Sequence, residues 1–116
     1  MNGSDFTIDM QMLDNGAPLI VIAGRMMGQS LWKQAQELLD RYAAVNTTVF
    51  VDLSACVFFS SAAFSCLHEL ANQRHSFGKD LVVIGASQQI RQVICLMNLD
   101  PYFTFIDTPE EAGDWA

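Results

Sequence analysis

The chain has 116 residues, with 6 Lys plus Arg against 13 Asp plus Glu, giving a formal net charge of −7 at pH 7. At 51% hydrophobic and 16% charged, it holds enough apolar material for one domain spanning residues 1–116, which excludes wholesale disorder and disulfide-stapled miniproteins. Six basic residues are too few for a surface that tracks phosphates, so no nucleic-acid partner is expected.

The longest uncharged stretch, Leu53 to Leu67, contains Ser54, Ser60, Ser61 and Ser65 and is shorter than a bilayer span, so no direct membrane insertion is expected. The first residues lack the basic start and apolar core of a secretory signal, which predicts a cytoplasmic location. Cys56, Cys66 and Cys95 are widely spaced, with no Cys-x-x-Cys pair; they read as reduced, mostly buried thiols.

Phe6, Ile8, Met10 and Met12 alternate with Thr7, Asp9 and Gln11, the pattern of a strand with one buried face. Asp14, Asn15 and Gly16 supply a turn, and Leu19 to Ala23 form a second strand, so a hairpin is predicted. Gly24 to Gly28 then read as a loop. Ser30 caps a helix with Leu31, Ala35, Leu38, Leu39 and Tyr42 on one stripe, ending near Ala44.

Thr48 to Asp52 form a central strand, and a short connecting segment, Ser54 to Phe59, leads to a second helix. In it Ala63, Phe64, Leu67, Leu70 and Ala71 face inward, and Gly78 ends it. Leu81 to Ile84 are a buried strand. Ser87 caps a third helix with the stripe Ile90, Val93, Ile94 and Met97, and Asn98 is its left-handed stop. Phe103 to Ile106 make a last strand, and Thr108, Pro109 and Glu111 announce a short terminal helix. The order predicts an α/β fold: a mixed, mostly parallel sheet with an N-terminal hairpin and about four helices.

Catalytic and metal motifs fail on spacing. His68 and Glu69 begin like a zinc-protease helix, but Asn72 stands where the second His is needed, and His75 is two turns from His68. Both histidines read as solvated or locally hydrogen-bonded. No Gly-x-Ser-x-Gly elbow exposes a serine, Cys66 and His68 point apart on a helix, and neither Cys56 nor Cys66 has a nearby cation in sequence. Gly24 to Gly28 and Gly85 match no nucleotide fingerprint, leaving glycines that permit loop geometry. No catalytic residue, metal or cofactor is expected.

What remains is the Ser60, Ser61 pair at a helix start, after a strand carrying Asp52. Ser60 suits a helix cap, satisfying a free backbone N–H. A hydroxyl there also suits phosphorylation, because the helix end favours the added anion and the domain need not unfold.

The run Val49 to Leu67, VFVDLSACVFFSSAAFSCL, resembles the signature of the STAS domain family, found in sulfate transporters and anti-sigma factor antagonists. There a strand ending in Asp-Leu-Ser leads through an apolar loop to Asp-Ser-Ser/Thr-Gly-Leu at a helix start. Gly24 to Leu39 is similar to the family's glycine-led loop and first helix, Gly78 to Ile84 to its turn and strand, and Ile90 to Leu99 to its third helix. The resemblance covers nearly the whole chain and implies a single-domain STAS-like fold.

By position, it makes Ser61 the serine phosphorylated by a partner kinase that doubles as an anti-sigma factor. Ser60 stands where the pattern has Asp, Ala62 where it has Ser or Thr, and Ala63 where it has Gly. The implied function is a non-catalytic regulatory module docking onto a kinase-like anti-sigma factor. Its contacts would be Ser60, Ser61, Ala62 and Phe64 at the helix start and Gly24 and Met27 in the glycine-led loop, switched by phosphorylation of Ser61. The alternative, favoured by Ser60, Ala62 and Ala63, is a STAS subunit without phosphoregulation in a lipid or anion transporter complex or a sensory assembly. Ser61 would then be a cap or hydrogen-bond donor, with Phe64 and Met27 as apolar anchors.

Overall fold

The computed structural model describes residues 6–13, 16–26, 33, 34, 37, 48–108 and 110, with backbone only at 26, 59, 61, 62 and 100. Five strands form one sheet: β1 (Phe6–Met12), β2 (Pro18–Met26), β3 (Val49–Phe59), β4 (Leu81–Ile84) and β5 (Thr104–Ile106), in the spatial order β1-β2-β3-β4-β5. β1 and β2 are antiparallel, with Phe6 opposite Gly24 and Met12 opposite Pro18; the remaining neighbours are parallel. The hairpin turn closes through Leu13 N–H donating to Ala17 O at 2.9 Å and Gly16 N–H donating to Leu13 O at 2.8 Å, with Gly16 at φ +86°.

Among the described residues there are two α-helices, α1 (Ser61–Ser76) and α2 (Gln88–Leu96), and a 3-10 turn over Asp100–Tyr102. The helix expected from Ser30 falls largely outside the described residues; Lys33, Gln34 and Glu37 within it are helical. The expected terminal helix beyond Thr108 lies outside them except for Glu110.

The parallel strands advance in one direction across the sheet, so right-handed crossovers place α1 and α2 on the same face. Period-two alternation then divides the core. Ile20, Ile22, Val49, Val51, Leu53, Leu81 and Val83 pack with the helices, whereas Leu19, Phe50, Val82, Ile84 and Ile106 form a second buried cluster. Burial on both faces is why β3 and β4 read as continuous apolar runs rather than alternating ones.

Helix α1 buries Ala63, Phe64, Leu67, Leu70 and Ala71, the stripe its spacing predicts. It stops at Phe77 and Gly78, whose φ of +72° suits glycine. Helix α2 departs from expectation on one side. Ile90 and Ile94 are buried, but Val93 and Met97, read as inward, are 37% and 38% exposed. Asn98 takes φ +59°, the expected left-handed stop, and Leu99 N–H donates to Ile94 O at 2.9 Å.

Two strands run further than the sequence pattern predicts. Gly24 and Arg25, read as loop, belong to β2, and the connecting segment Ser54 to Phe59 belongs to β3. The β2–β3 register explains both. Val21 faces Asp52 but Ala23 faces Ala55, and Gly24 faces Cys56 but Arg25 faces Phe58, so β3 carries an extra residue at each of two bulges.

Candidate functional site

The bulges carry β3 past the end of β4, whose last pair is Ile84 with Asp52, and deliver the chain to the start of α1 beside the end of β2. Met26 pairs with Phe59, directly before Ser60. Parallel pairing thereby brings the glycine-led segment of β2 next to the serine pair, two features far apart in sequence.

Ser60 is the N-cap of α1, at φ −76° and ψ 164°, and its Oγ accepts from Ala63 N–H at 3.1 Å. Phe64 N–H donates to Ser60 O at 3.0 Å, the first intrahelical bond. The cap is therefore Ser60, and Ser61, which one sequence reading made a cap, begins the helix proper. The first turn of α1 has no acidic residue, so the positive end of the helix dipole is not offset there.

Phe64 is 2% exposed and belongs to the main core cluster, which corrects its reading as an apolar anchor for a partner. Its place in the helical stripe turns it inward. Gly24 sits in β2 at φ +91°, opposite Phe6 and Cys56. Ala62 is described by its backbone in α1, and Met27 lies outside the described residues. The apolar residues that do face solvent here are Val57 and Phe58, 73% and 42% exposed, which the sequence reading placed in a connection and assigned no role. Arg25 reaches over the Phe58 ring, with its guanidinium carbon 5.4 Å from the centroid.

Below the serine pair, Asp52 Oδ1 accepts from Ser54 N–H at 2.9 Å and from Ser54 Oγ–H at 2.6 Å. Asp52 is buried and tied into the backbone at the first bulge. It braces the turn of the strand, as an Asx-type bond does.

The histidines stand apart from this end of the sheet. His68 packs edge-on against Tyr102 with ring centroids 4.5 Å apart, and His75 stacks on Tyr102 at 6.1 Å. Nε2 of His68 is buried with no hydrogen-bond partner among the described residues, so aromatic packing, rather than the solvation or local hydrogen bond read from sequence, defines its setting. Arg74, buried nearby on α1, donates to Gln73 Oε1 and lies over Phe77; desolvation lowers its pKa below the ordinary guanidinium value. Cys56 is buried, Cys66 half-buried and Cys95 exposed, so the expectation of mostly buried thiols fails at Cys95. Among the described residues no group of three His, Cys, Asp or Glu could hold a metal ion, and no helix is long and apolar enough to cross a membrane.

A family model described as "Mlab, STAS domain" matches residues 7–106, and the chain belongs to the STAS domain family. No curated protein sequence matches it. Among solved structures, the anti-sigma factor antagonist STAS domain protein of Planctomyces limnophilus is similar with a TM-score of 0.75 at 16% identity, covering 90% of this chain and 93% of that one. The anti-sigma factor antagonist SpoIIAA in its unphosphorylated form superposes with a TM-score of 0.74 at 15% identity over 93% of this chain and 94% of that one. The phosphorylated form of the Bacillus cell fate determinant SpoIIAA gives 0.69 at 15% identity over 93% and 97%. The chain thus has the single-domain α/β fold of the anti-sigma factor antagonists.

Proposed function

We propose that this STAS domain is a non-catalytic docking module of the anti-sigma factor antagonist type, binding a kinase-like anti-sigma factor at the start of α1 and the adjoining ends of β2 and β3. The observation that carries it is the exposed apolar pair Val57 and Phe58 immediately before the Ser60, Ser61 helix start. Apolar side chains held open on a rigid strand beside a helix terminus suit a protein partner.

In this reading Ser61 is the phosphoacceptor. Phosphorylation adds about −1.5 to −2 charges. A first turn without carboxylates accommodates that charge inside the domain, so its effect falls on the partner surface. On a chain already at −7, an apolar or acidic partner surface would be repelled. Ser61→Ala is expected to retain the partner and Ser61→Asp to lose it; equal affinities of the two variants would remove the switch.

A second reading has its own support. Ser60, in place of the signature's Asp, caps the helix with its hydroxyl, and the matching family model is the Mlab type. In that reading the same face is a constitutive contact within a membrane transporter or sensory assembly, and native protein carries no phosphate on Ser61.

A further inference from the structure

The outer edge of β1 is a surface apart from the start of α1. Among the described residues β1 stands at one end of the sheet and pairs with β2 alone. Leu13 N–H donates to Ala17 O at 2.9 Å, which makes these two a hydrogen-bonded pair of the antiparallel ladder. Bonded and non-bonded pairs alternate along such a ladder, and the β1–β2 register is unbroken. Gln11, Asp9 and Thr7 therefore bond to Leu19, Val21 and Ala23, while the N–H and C=O groups of Phe6, Ile8, Met10 and Met12 point away from β2. Pro18, which has no N–H to give, stands opposite Met12, in keeping with this phase. Among the described residues Phe6–Met12 make no hydrogen bond outside the pairing with β2.

Edge strands are usually guarded against pairing with another chain by Lys, Pro, a bulge or short length. β1 has 7 residues, FTIDMQM, with no Lys, Pro or bulge. Its faces are sharply divided. Phe6, Ile8 and Met10 pack half-buried on the main core cluster, and Thr7, Asp9 and Gln11 are exposed on the other side. Met12 continues the apolar face but is 54% exposed. Asp9 is the one charged residue of β1, so the edge carries little of the chain's −7.

We infer that two copies of this chain pair antiparallel along β1, about a twofold axis at Met10, joining their sheets into one. Faces match, and the outward main-chain groups meet, where the axis falls at Ile8, Asp9 or Met10. An axis at Asp9 sets the two carboxylates opposite each other in a close non-bonded pair, with Cα atoms about 4.5 Å apart, which is repulsive. An axis at Ile8 leaves Met12 past the end of the other copy's β1. An axis at Met10 sets Asp9 opposite Gln11 on both sides, where the amide N–H donates to the carboxylate, and sets Ile8 over the exposed Met12. One strand supplies both members of each match, which selects a second copy over an unrelated strand. The pairing lies beyond the proposed function, because β2 separates this edge from β3 and neither Phe58 nor Ser61 takes part.

The test is sedimentation velocity of the full chain over rising concentration, with three variants confirmed folded by circular dichroism. Wild type is expected to convert from monomer to dimer. Met12→Pro removes an outward N–H and no bond to β2, and should weaken the dimer about tenfold. Gln11→Lys meets Asp9 on both sides of the axis and should tighten it about fivefold. Thr7→Lys makes the same change of charge but meets Leu13, and should leave the dimer nearly unchanged. Monomer alone up to about 1 mM, or a dimer indifferent to Met12→Pro, would overturn the inference. So would equal or greater tightening by Thr7→Lys than by Gln11→Lys, which would deny the axis at Met10.

Discussion

Gly85 and Ser54 touch where β4 ends: a Cβ on Gly85, which sits at φ +66°, would lie 2.8 Å from Ser54 Cβ and 3.3 Å from its Cα. Gly85 N–H also donates to Ile106 O at 2.9 Å, so the glycine ties the first bulge of β3 to β5. Gly85→Ala therefore combines left-handed strain with overpacking against a strand, and a loss of about 2–4 kcal/mol is expected in urea unfolding. Ser54→Gly in the same chain should recover part of it, making the double variant less destabilised than the sum of the singles.

Ser60 is a cap with a measurable cost. Ser60→Ala leaves Ala63 N–H without its side-chain acceptor and should cost about 1 kcal/mol, whereas Ser60→Asp keeps an acceptor at the positive helix end and should cost little. Thermal unfolding of the two variants checks this; equal losses would deny Ser60 the capping role.

Phe64 belongs to stability rather than recognition. Phe64→Ala removes a nearly fully buried ring from the main core cluster and should destabilise by about 3–5 kcal/mol. Phe58→Ala, on a side chain 42% exposed, should leave stability nearly unchanged and weaken partner binding. Unfolding and binding measured on both variants separate the two roles.

The thiols should react in the order of their exposure. Cys95 is expected to label rapidly at neutral pH and Cys66 more slowly. Cys56, whose thiol contacts Phe58 O at 3.2 Å, should label only on unfolding. Mass-spectrometric timing of alkylation at each site checks the order; early labelling of Cys56 would contradict its placement.

The parts of the fold legible in the sequence are those with an unbroken period. Alternation from Phe6 to Met10 and the stripe from Ala63 to Ala71 each pack a single face, and the apolar runs at 49–51 and 81–84 are buried on both; the alternation read to Met12 stops short of it, since Met12 is exposed. The β3 extension was illegible because its bulges each insert a residue and reverse the alternation. Asp52 and Leu53 are both buried, Ser54 and Ala55 both exposed, and Cys56 is buried again, a pattern that reads as a loop. Gly24 concealed the end of β2 in the same way, since a positive φ within a strand resembles a turn in sequence. At the site, Ser60 and Ser61 were legible from chemistry, and their nearness to β2 follows from parallel pairing. Val57 and Phe58 were missed because nothing local distinguishes a solvent-facing apolar residue on an open strand from one that is buried. On α2, Val93 and Met97 carry the right spacing, but the helix buries only the Ile90, Ile94 edge of that stripe.

The most direct measurement is affinity capture from the native host with wild-type, Ser61→Ala and Ser61→Asp baits, together with the intact mass of the native protein and localisation of any phosphate. The proposed switch expects a kinase-like protein retained by wild type and Ser61→Ala, lost with Ser61→Asp, and a phosphate on Ser61 in a fraction of the native chain. Recovery of the same transporter or sensory subunits by all three baits, with no phosphate on the native protein, would contradict it and make this face a constitutive contact.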